Sequence, residues 1–355
     1  MNILELCDFY SNYGSNFIPS LEYLEHKLSQ KGHKVFFIFS KRNLSEKFYS
    51  WEKPFSLKYP TQLLDFSKFS IVNETVKFIK ENNIKIVHGH FLASFYFSEI
   101  KKRCPNDVKF YEHIHSAPYN GRKTLKARIK RIRNAFLLNH KITKICVSDA
   151  IIPITKFVYP FTEVLSCRNA IDFSRLKKKD HNYLDEFNVL LFGYNYFVKG
   201  DDIAIKAVTD FSLKHNIHLD IVMSDNLELN KNQIQKDFGC IPNCVSILEP
   251  SHDIVSLYTS HQVFLNASRS EGISYAIIEA YYCGALCIVS NVPATLETNL
   301  PNVIYFKTGS SEDLSKALEQ GYLIRKSYLN DIDYVENNFS LETWSNKLIK
   351  IFQLD

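Results

Sequence analysis

The sequence predicts an α/β protein built from two doubly wound, parallel-sheet domains. Three observations lead there. The chain has 355 residues, and at about 100–200 residues per domain that length suits two domains. Short apolar runs alternate with stretches of helical periodicity, in two separate cycles. Residues 172–187, DFSRLKKKDHNYLDEF, are polar and charged and part the two cycles as an interdomain linker would.

The first cycle opens with a strand at 3–6, a polar loop through Gly14 and a helix at 18–31. Leu21, Leu24 and Leu28 recur there at helical spacing, and Lys31-Gly32-His33 is the stop signal. Strand 35–39, helix 72–81, strand 84–88, helix 95–102 and strand 108–111 follow, and strand 142–147 comes after a basic segment. The second cycle starts with strand 189–192 and a loop, then helix 201–214, strand 218–223 and a further helix. Strand 245–248, helix 254–259, strand 263–265, helix 275–282 and strand 286–289 complete it. The tail, 341–352, carries Trp344, Leu348 and Phe352 on one helical face. Two such domains side by side leave a cleft at the carboxyl ends of both sheets, where ligands bind in folds of this class.

Composition narrows the function. A hydrophobic fraction of 45% with 23% charged residues is that of an ordinary globular protein. No apolar run approaches the ~20 residues of a membrane span, and MNILELCDFY lacks the basic region of a signal peptide. Eight cysteines are too few for a disulfide scaffold. The pairs Cys240/Cys244 and Cys283/Cys287 are spaced too widely for a usual zinc pair, and Cys283 and Cys287 read as buried thiols in a reducing cytoplasm. Neither G-x-G-x-x-G nor G-x-x-x-x-G-K-[ST] occurs, so nicotinamide, flavin and P-loop chemistry lose their signatures. The net charge of +5 is concentrated: 113–148 holds nine Lys or Arg and no Asp or Glu, leaving 34 basic against 38 acidic residues elsewhere. Such a patch points to an anionic surface.

Two patterns carry chemistry. In Ser270-Glu271-Gly272-Ile273-Ser274-Tyr275-Ala276-Ile277-Ile278-Glu279-Ala280, two carboxylates lie eight apart, one in a loop and one two turns into a helix. Gly272 and Ser274 sit at the helix start, where free amides favour phosphate. The plain alternative is a pair of solvent-facing glutamates, but Glu279 is flanked by Ile277, Ile278 and Ala280, and a carboxylate so placed usually has a fixed partner. In Phe192-Gly193-Tyr194-Asn195-Tyr196-Phe197-Val198-Lys199-Gly200, a lysine precedes a new helix and can serve a diphosphate as a point charge.

Together these patterns resemble the retaining glycosyltransferases of the family-4 type, which have the two-domain GT-B fold. The E-x7-E signature is matched by Glu271 and Glu279, and the G-x5-K-G loop by Gly193, Lys199 and Gly200. Arg168-Asn169-Ala170-Ile171-Asp172 is similar to the N-G-[IV]-D turn and Cys146-Val147-Ser148 to the V-S that ends the preceding strand. The resemblance implies an acceptor-binding domain over 1–170, completed by a C-terminal helix at 335–355, and a donor-binding domain over 171–334. Glu279 would hydrogen-bond the ribose of a nucleotide sugar, Glu271 would sit beside the transferred sugar, and the Gly272, Ile273, Ser274 and Tyr275 amides would lie near it and the diphosphate. Lys199 would neutralise the leaving diphosphate, and the base would rest near Leu248. Members usually carry arginine after the first glycine, where this chain has Tyr194; Arg269, two residues before Glu271, or Asn195 is the candidate to compensate.

His88, His90, His113 and His115 form two H-x-H pairs at strand ends. With only Glu112 as a further ligand, zinc is the weaker reading and no metal is expected. The resemblance puts His113 against the transferred sugar, with His115 as the alternative, and places Gly14, His90 and His115 on the acceptor side. The single D-x-D, Asp331-Ile332-Asp333, reads as the polar start of a helix. Residues 122–138 read as an amphipathic helix with Leu125, Ile129, Ile132 and Phe136 in a stripe and Arg122, Lys123, Lys126, Lys130, Arg131 and Arg133 around it. The stripe either packs into the first domain or lies on an anionic leaflet.

The expected protein is a retaining GT-B glycosyltransferase, cytoplasmic and peripheral on the inner membrane face. It would use a nucleotide-sugar donor, in particular a UDP-sugar, and a glycan or lipid-linked acceptor, without metal or cofactor. Two rivals remain: a weakly catalytic subunit that positions a partner glycosyltransferase, favoured by Tyr194, and a nucleotide-sugar epimerase, which would not need the basic helix. A nucleic-acid partner is not expected, because 122–133 interleaves no aromatics.

Overall fold

The computed structural model describes the chain except residues 12, 42–49, 179–186, 224–226, 252 and 355, and gives the backbone alone at Asn120. The chain divides into two units, Met1–Asp172 with Phe339–Asp355, and Phe173–Asn338. Among the described residues the first contains a seven-stranded sheet and the second a six-stranded one.

In the first unit the strands are β1 (Asn2–Cys7), β2 (Lys34–Ser40), β3 (Thr61–Leu64), β4 (Ile84–His90), β5 (Lys109–Ile114), β6 (Ile142–Cys146) and β7 (Val164–Ser166). Their order is β3-β2-β1-β4-β5-β6-β7, every pair parallel. The second unit has β8 (Phe187–Phe192), β9 (Ile217–Val222), β10 (Val245–Leu248), β11 (Val263–Asn266), β12 (Leu286–Ser290) and β13 (Ile304–Phe306). Their order is β10-β9-β8-β11-β12-β13, again parallel. Each sheet starts at its centre, winds to one edge and then crosses to the other side. The crossing creates a switch point between β1 and β4 and another between β8 and β11, the places where doubly wound sheets bind ligands.

Helix faces close the sheets. Leu21, Leu24 and Leu28 of helix Phe17–Gln30 are buried against Ile3 and against Trp344, Leu348 and Phe352 of the C-terminal helix Leu341–Phe352. Each such side chain contributes about 1.5–3 kcal/mol through burial. The tail therefore belongs to the first unit although it follows the second in sequence. Ile71, Val72, Val76 and Ile79 of helix Ser70–Glu81, with Phe97 and Ile100 of helix Ser94–Arg103, cover the opposite face. In the second unit Ile203, Ala204, Ala207 and Val208 of helix Asp201–Ser212 pack on Val189, Leu191, Leu219 and Ile221.

The sequence reading omitted β3, β7 and β13, which are too short to show an alternating pattern. It also omitted helices Glu52–Lys58, Ile152–Val158 and Ser311–Ile324. For the last a signal was available, since Ser310 accepts a hydrogen bond from the Asp313 amide in an S-x-x-D cap. Strands 84–88 and 108–111 were read too short: β4 runs on to His90 and β5 to Ile114, so His113 lies inside a strand, opposite His90. Pattern reading stops where polar residues begin, and here those residues continue the strands because they satisfy one another. The linker reading also needs correction, because Phe187 already belongs to β8 and Phe173–Arg175 forms a 3-10 turn; 179–186 fall outside the described residues. Asp331 accepts from the Tyr334 amide at the start of helix Ile332–Phe339, the structural use expected of the D-x-D.

Candidate active site

In the second unit, the two patterns from the sequence meet at the switch point. Lys199 closes the loop after β8, Glu271 lies in the loop after β11, and Lys199 Nζ donates to Glu271 Oε1 at 2.7 Å. Glu271 Oε1 also accepts from Ser268 Oγ at 2.7 Å, and Asn266 Nδ2 lies 3.4 Å away. Both side chains of the ion pair are 10% exposed, so each is held by the other against the cost of burial. The ammonium lies 4.5 Å from the centre of the Tyr194 ring. Burial pushes the Lys199 pKa down, but Glu271 and Tyr194 outweigh it and leave it above the ordinary lysine value. Lys199 therefore remains a full positive charge at neutral pH.

These residues line a cavity of about 160 Å³ with Leu191, Phe192, Phe264, Ala267, Ser274, Tyr275 and Ala276. Two glycines let the loop close on it. A Cβ on Gly200, whose φ is +74°, would come within 2.2 Å of the Ala267 carbonyl oxygen, and one on Gly193 within 2.6 Å of Asp201 Oδ2. Below the loop, Asp201 is fully buried, and neither of its carboxylate oxygens has a hydrogen-bond partner among the described residues. Burial first and Asp202 second push its pKa up to about 8.

Other expected donor residues are placed differently. Glu279 does not line the cavity; it is buried, accepts from the Tyr258 hydroxyl at 2.8 Å and pairs with Arg175. The fixed partner anticipated for this carboxylate thus comes from the segment read as linker, and neither Arg175 nor Tyr258 was singled out in the sequence. Arg269 does not take the place of the missing arginine: its guanidinium is held bidentately by Asp202, at 2.8 and 2.7 Å, and rests on the Phe197 ring. Asn195 caps the short helix Tyr196–Lys199 by accepting from the Val198 amide, and with Tyr194 it borders a separate depression. Leu248 ends β10, and Gly272 and Ile273 lie in the loop before helix Tyr275–Tyr282, all three outside the cavity lining.

The first unit gathers its histidines at its own switch point. Glu5 of β1 accepts from His88 Nδ1 and from His90 Nε2, both at 3.0 Å. His88 Nε2 lies 3.1 Å from His113 Nδ1, and His90 Nδ1 lies 3.1 Å from His115 Nε2. His90, His113 and His115 are all pushed below the ordinary histidine value, by burial first and by neighbouring imidazoles second. His88, His90 and His113 can bring ring nitrogens within 4.8 Å of one another, as can Glu5, Cys7 and His90, and these described residues are the ones that could hold a metal. Glu112, the one ligand foreseen from sequence besides the histidines, instead pairs with Lys144 and accepts from Ser94. Glu5 and Cys7 were missed because β1 is distant in sequence and adjacent only in the sheet. Gly14 lies before helix Phe17–Gln30 and accepts from the Ile18 amide.

In helix Leu125–Leu137 the buried residues are Ala127 and Asn134, whereas Leu125, Ile129, Ile132 and Phe136 are 60–84% exposed. The apolar stripe is therefore not packed into the unit. Of the six cations assigned to this surface, Arg131 donates to the Phe157 carbonyl and Lys130 is half-buried by Tyr119 and Tyr159. Arg122, Lys123, Lys126 and Arg133 are exposed, as is Arg128, which the sequence reading left out.

Residues 172–335 match the family model for group 1 glycosyl transferases. The chain resembles that family over this stretch. It is also 24% identical over 267 residues, 70% of each chain, to a Staphylococcus aureus protein named capsular polysaccharide biosynthesis glycosyltransferase CapH. Among solved structures it is similar to a Rickettsia africae glycosyltransferase, with a TM-score of 0.74, 16% identity and coverage of 99% of this chain and 97% of that one. Anabaena HepE in complex with UDP and glucose gives a TM-score of 0.73 at 15% identity, covering 99% of both chains. At these identities the likeness is one of fold, and the fold class is GT-B, with two parallel doubly wound units.

Proposed function

We propose that this protein is a retaining glycosyltransferase that moves a sugar from a UDP-sugar to a glycan or lipid-linked acceptor in cell-surface polysaccharide synthesis, without metal. The observation that carries the reading is the Lys199–Glu271 pair in the cavity at the second switch point. Breaking a glycosyl–diphosphate bond leaves charge on the diphosphate, and a pre-placed ammonium in a largely buried site stabilises that charge without reorganising. Glu271, held by Ser268 and Lys199, is the carboxylate beside the transferred sugar. In this reading Glu279 serves the ribose, Arg175 being the partner it already has, and His113 serves the sugar from the first unit. The CapH name and the UDP and glucose of the HepE complex support the donor and the pathway class. The positioning-subunit alternative rests on Tyr194, but here Tyr194 sits over the Lys199 ammonium and helps to hold it charged.

The test is a thermal-shift screen against UDP-, GDP- and dTDP-sugars. A donor at 100 times its Kd stabilises by about 2.7 kcal/mol, so the preferred nucleotide stands out. A flat screen removes the reading, and binding without transfer favours the subunit alternative.

The acceptor side includes an anionic membrane surface. The exposed stripe of helix Leu125–Leu137 is bordered by five exposed cations, and among the described residues no helix is long and apolar enough to cross a membrane. Cations near an anionic leaflet contribute about 1 kcal/mol each, and apolar side chains add area-dependent attraction. Co-sedimentation with anionic vesicles should weaken with salt and be lost in the Lys126/Arg128/Arg133→Glu variant. Equal binding to neutral vesicles would sink this part.

A further inference from the structure

At the first switch point, β1 and β4 run side by side with Glu5 opposite His88 and Cys7 opposite His90. Positions two apart on a strand share a face, so this register gathers four donor side chains on one side of the sheet. All four are buried, none more than 1% exposed. The sequence alone offered Glu112 as the further ligand for the histidine pairs; strand order supplies Glu5 and Cys7 in its place.

Glu5 Oε2 is 3.0 Å from His88 Nδ1 and 3.0 Å from His90 Nε2, and the two nitrogens are 3.1 Å apart. Hydrogen bonds to the carboxylate explain the first two distances but not the third. Two N–H groups that donate to one oxygen gain nothing from approaching each other, whereas two ring lone pairs turned on one cation do. Three ligands at right angles about an ion, each about 2.1 Å from it, stand about 3.0 Å apart, which matches the triangle observed. The outer ring nitrogens complete the pattern. His88 Nε2 lies 3.1 Å from His113 Nδ1, and His90 Nδ1 lies 3.1 Å from His115 Nε2. A ligating imidazole donates its other N–H to such a partner, which fixes its tautomer and the orientation of its ring. Among the described residues no lysine or arginine pairs with Glu5, and a buried carboxylate calls for a compensating charge.

We propose that Glu5, His88 and His90 bind a divalent first-row transition ion, with Cys7 as a nearby fourth donor. Cys7 Sγ lies within 4.8 Å of the Glu5 and His90 donor atoms. Two imidazoles with one carboxylate suit zinc and its neighbours in the row, whereas magnesium and calcium take oxygen ligands. The site is independent of the transfer reaction, and no step of that reaction is routed through it. Its ion ties β1 to β4 and, through His88, holds the ring of His113. In the metal-free chain the same atoms hold one another by the hydrogen bonds described above.

The test is elemental analysis of the full chain, made without a histidine tag, saturated with Zn²⁺ and dialysed, with Mg²⁺ in parallel. One zinc ion per chain should remain, and magnesium should not. The zinc-loaded chain should melt above the EDTA-treated one, because an ion bound only by the folded chain stabilises it by mass action. Glu5→Gln and His90→Gln should each weaken zinc binding at least about 100-fold, and His115→Gln, which removes only the outer partner of His90, by about 10- to 100-fold. X-ray absorption at the zinc edge reads the site in the parent without any variant, and should show imidazole scattering with nitrogen and oxygen at about 2.0–2.2 Å. The proposal is overturned if the dialysed chain holds no zinc, if magnesium is retained as well as zinc, or if the edge spectrum shows no imidazole. Zinc kept by both glutamine variants as by the parent would belong to surface histidines and would overturn it too.

Discussion

The two units solve the same topological problem with opposite electrostatics. Each places a buried polar cluster at the switch point of a parallel sheet. In the second unit the groups are ions held in pairs, Lys199 with Glu271 and Arg175 with Glu279. In the first unit His88 and His90 bond to the one carboxylate of Glu5, His113 and His115 bond to those imidazoles in turn, and burial pushes His90, His113 and His115 below the ordinary histidine value. Fixed charge suits a site that must stabilise a diphosphate; neutral donors and acceptors suit recognition of hydroxyls. The difference teaches that a shared scaffold does not determine chemistry, which depends on which side chains reach the carboxyl ends of the central strands.

The comparison is broken most severely at Lys199. Lys199→Ala should lower transfer from the preferred nucleotide sugar by at least ~100-fold, the scale on which a transition-state donor acts. A loss below a few-fold in steady-state turnover would show that the ammonium is structural.

Arg175→Ala comes next. It leaves Glu279 buried beside Tyr258 without its cation, and removing one partner of a buried pair costs about 3–5 kcal/mol. Arg175 is 29% exposed, so the lower end of that range is expected in urea unfolding. Adding Glu279→Gln should recover part of the loss; no recovery would mean that the arginine acts alone.

The imidazole cluster sharpens the contrast through pH. Burial holds the folded-state values of His90 and His113 well below the ordinary histidine value, so below about pH 6.5 the unfolded chain binds protons that the folded chain refuses. Stability should therefore fall as pH drops from 7 to 5, by more than a single-proton slope, in urea midpoints read at each pH. A flat profile would show that the cluster takes up protons while folded.

Asp201 runs the other way and with a smaller effect. Its folded pKa is raised to about 8 against the ordinary carboxyl value, so it stays protonated in the folded chain while the unfolded chain loses its proton. Its contribution is complete below about pH 4 and is lost as pH rises towards 8. Asp201→Asn should remove that decline, so calorimetry at pH 8 should find the variant above the parent and at pH 4 level with it. A variant below the parent at pH 8 would mean that the carboxylate is ionised and needed.

Much of the fold was legible in the sequence because it rests on local periodicity. Leu21, Leu24 and Leu28 announced a helix, and 245–248, 275–282 and 341–352 were read at their observed bounds, since apolar spacing reports one buried face whatever packs against it. E-x7-E and G-x5-K-G were equally legible, being short stretches in which loop, glycine and helix start follow one another along the chain. What tertiary structure decided was partnership. That Arg269 turns to Asp202, that Arg175 meets Glu279 across about a hundred residues, and that Glu5 gathers the histidines of β4 follow from strand order and helix packing. So does the exposure of Leu125, Ile129, Ile132 and Phe136, which have the periodicity of a buried stripe and none of the burial. Sequence patterns record what a residue prefers next to its neighbours in the chain; a buried charge is satisfied by neighbours in space, and only the folded sheets bring those together.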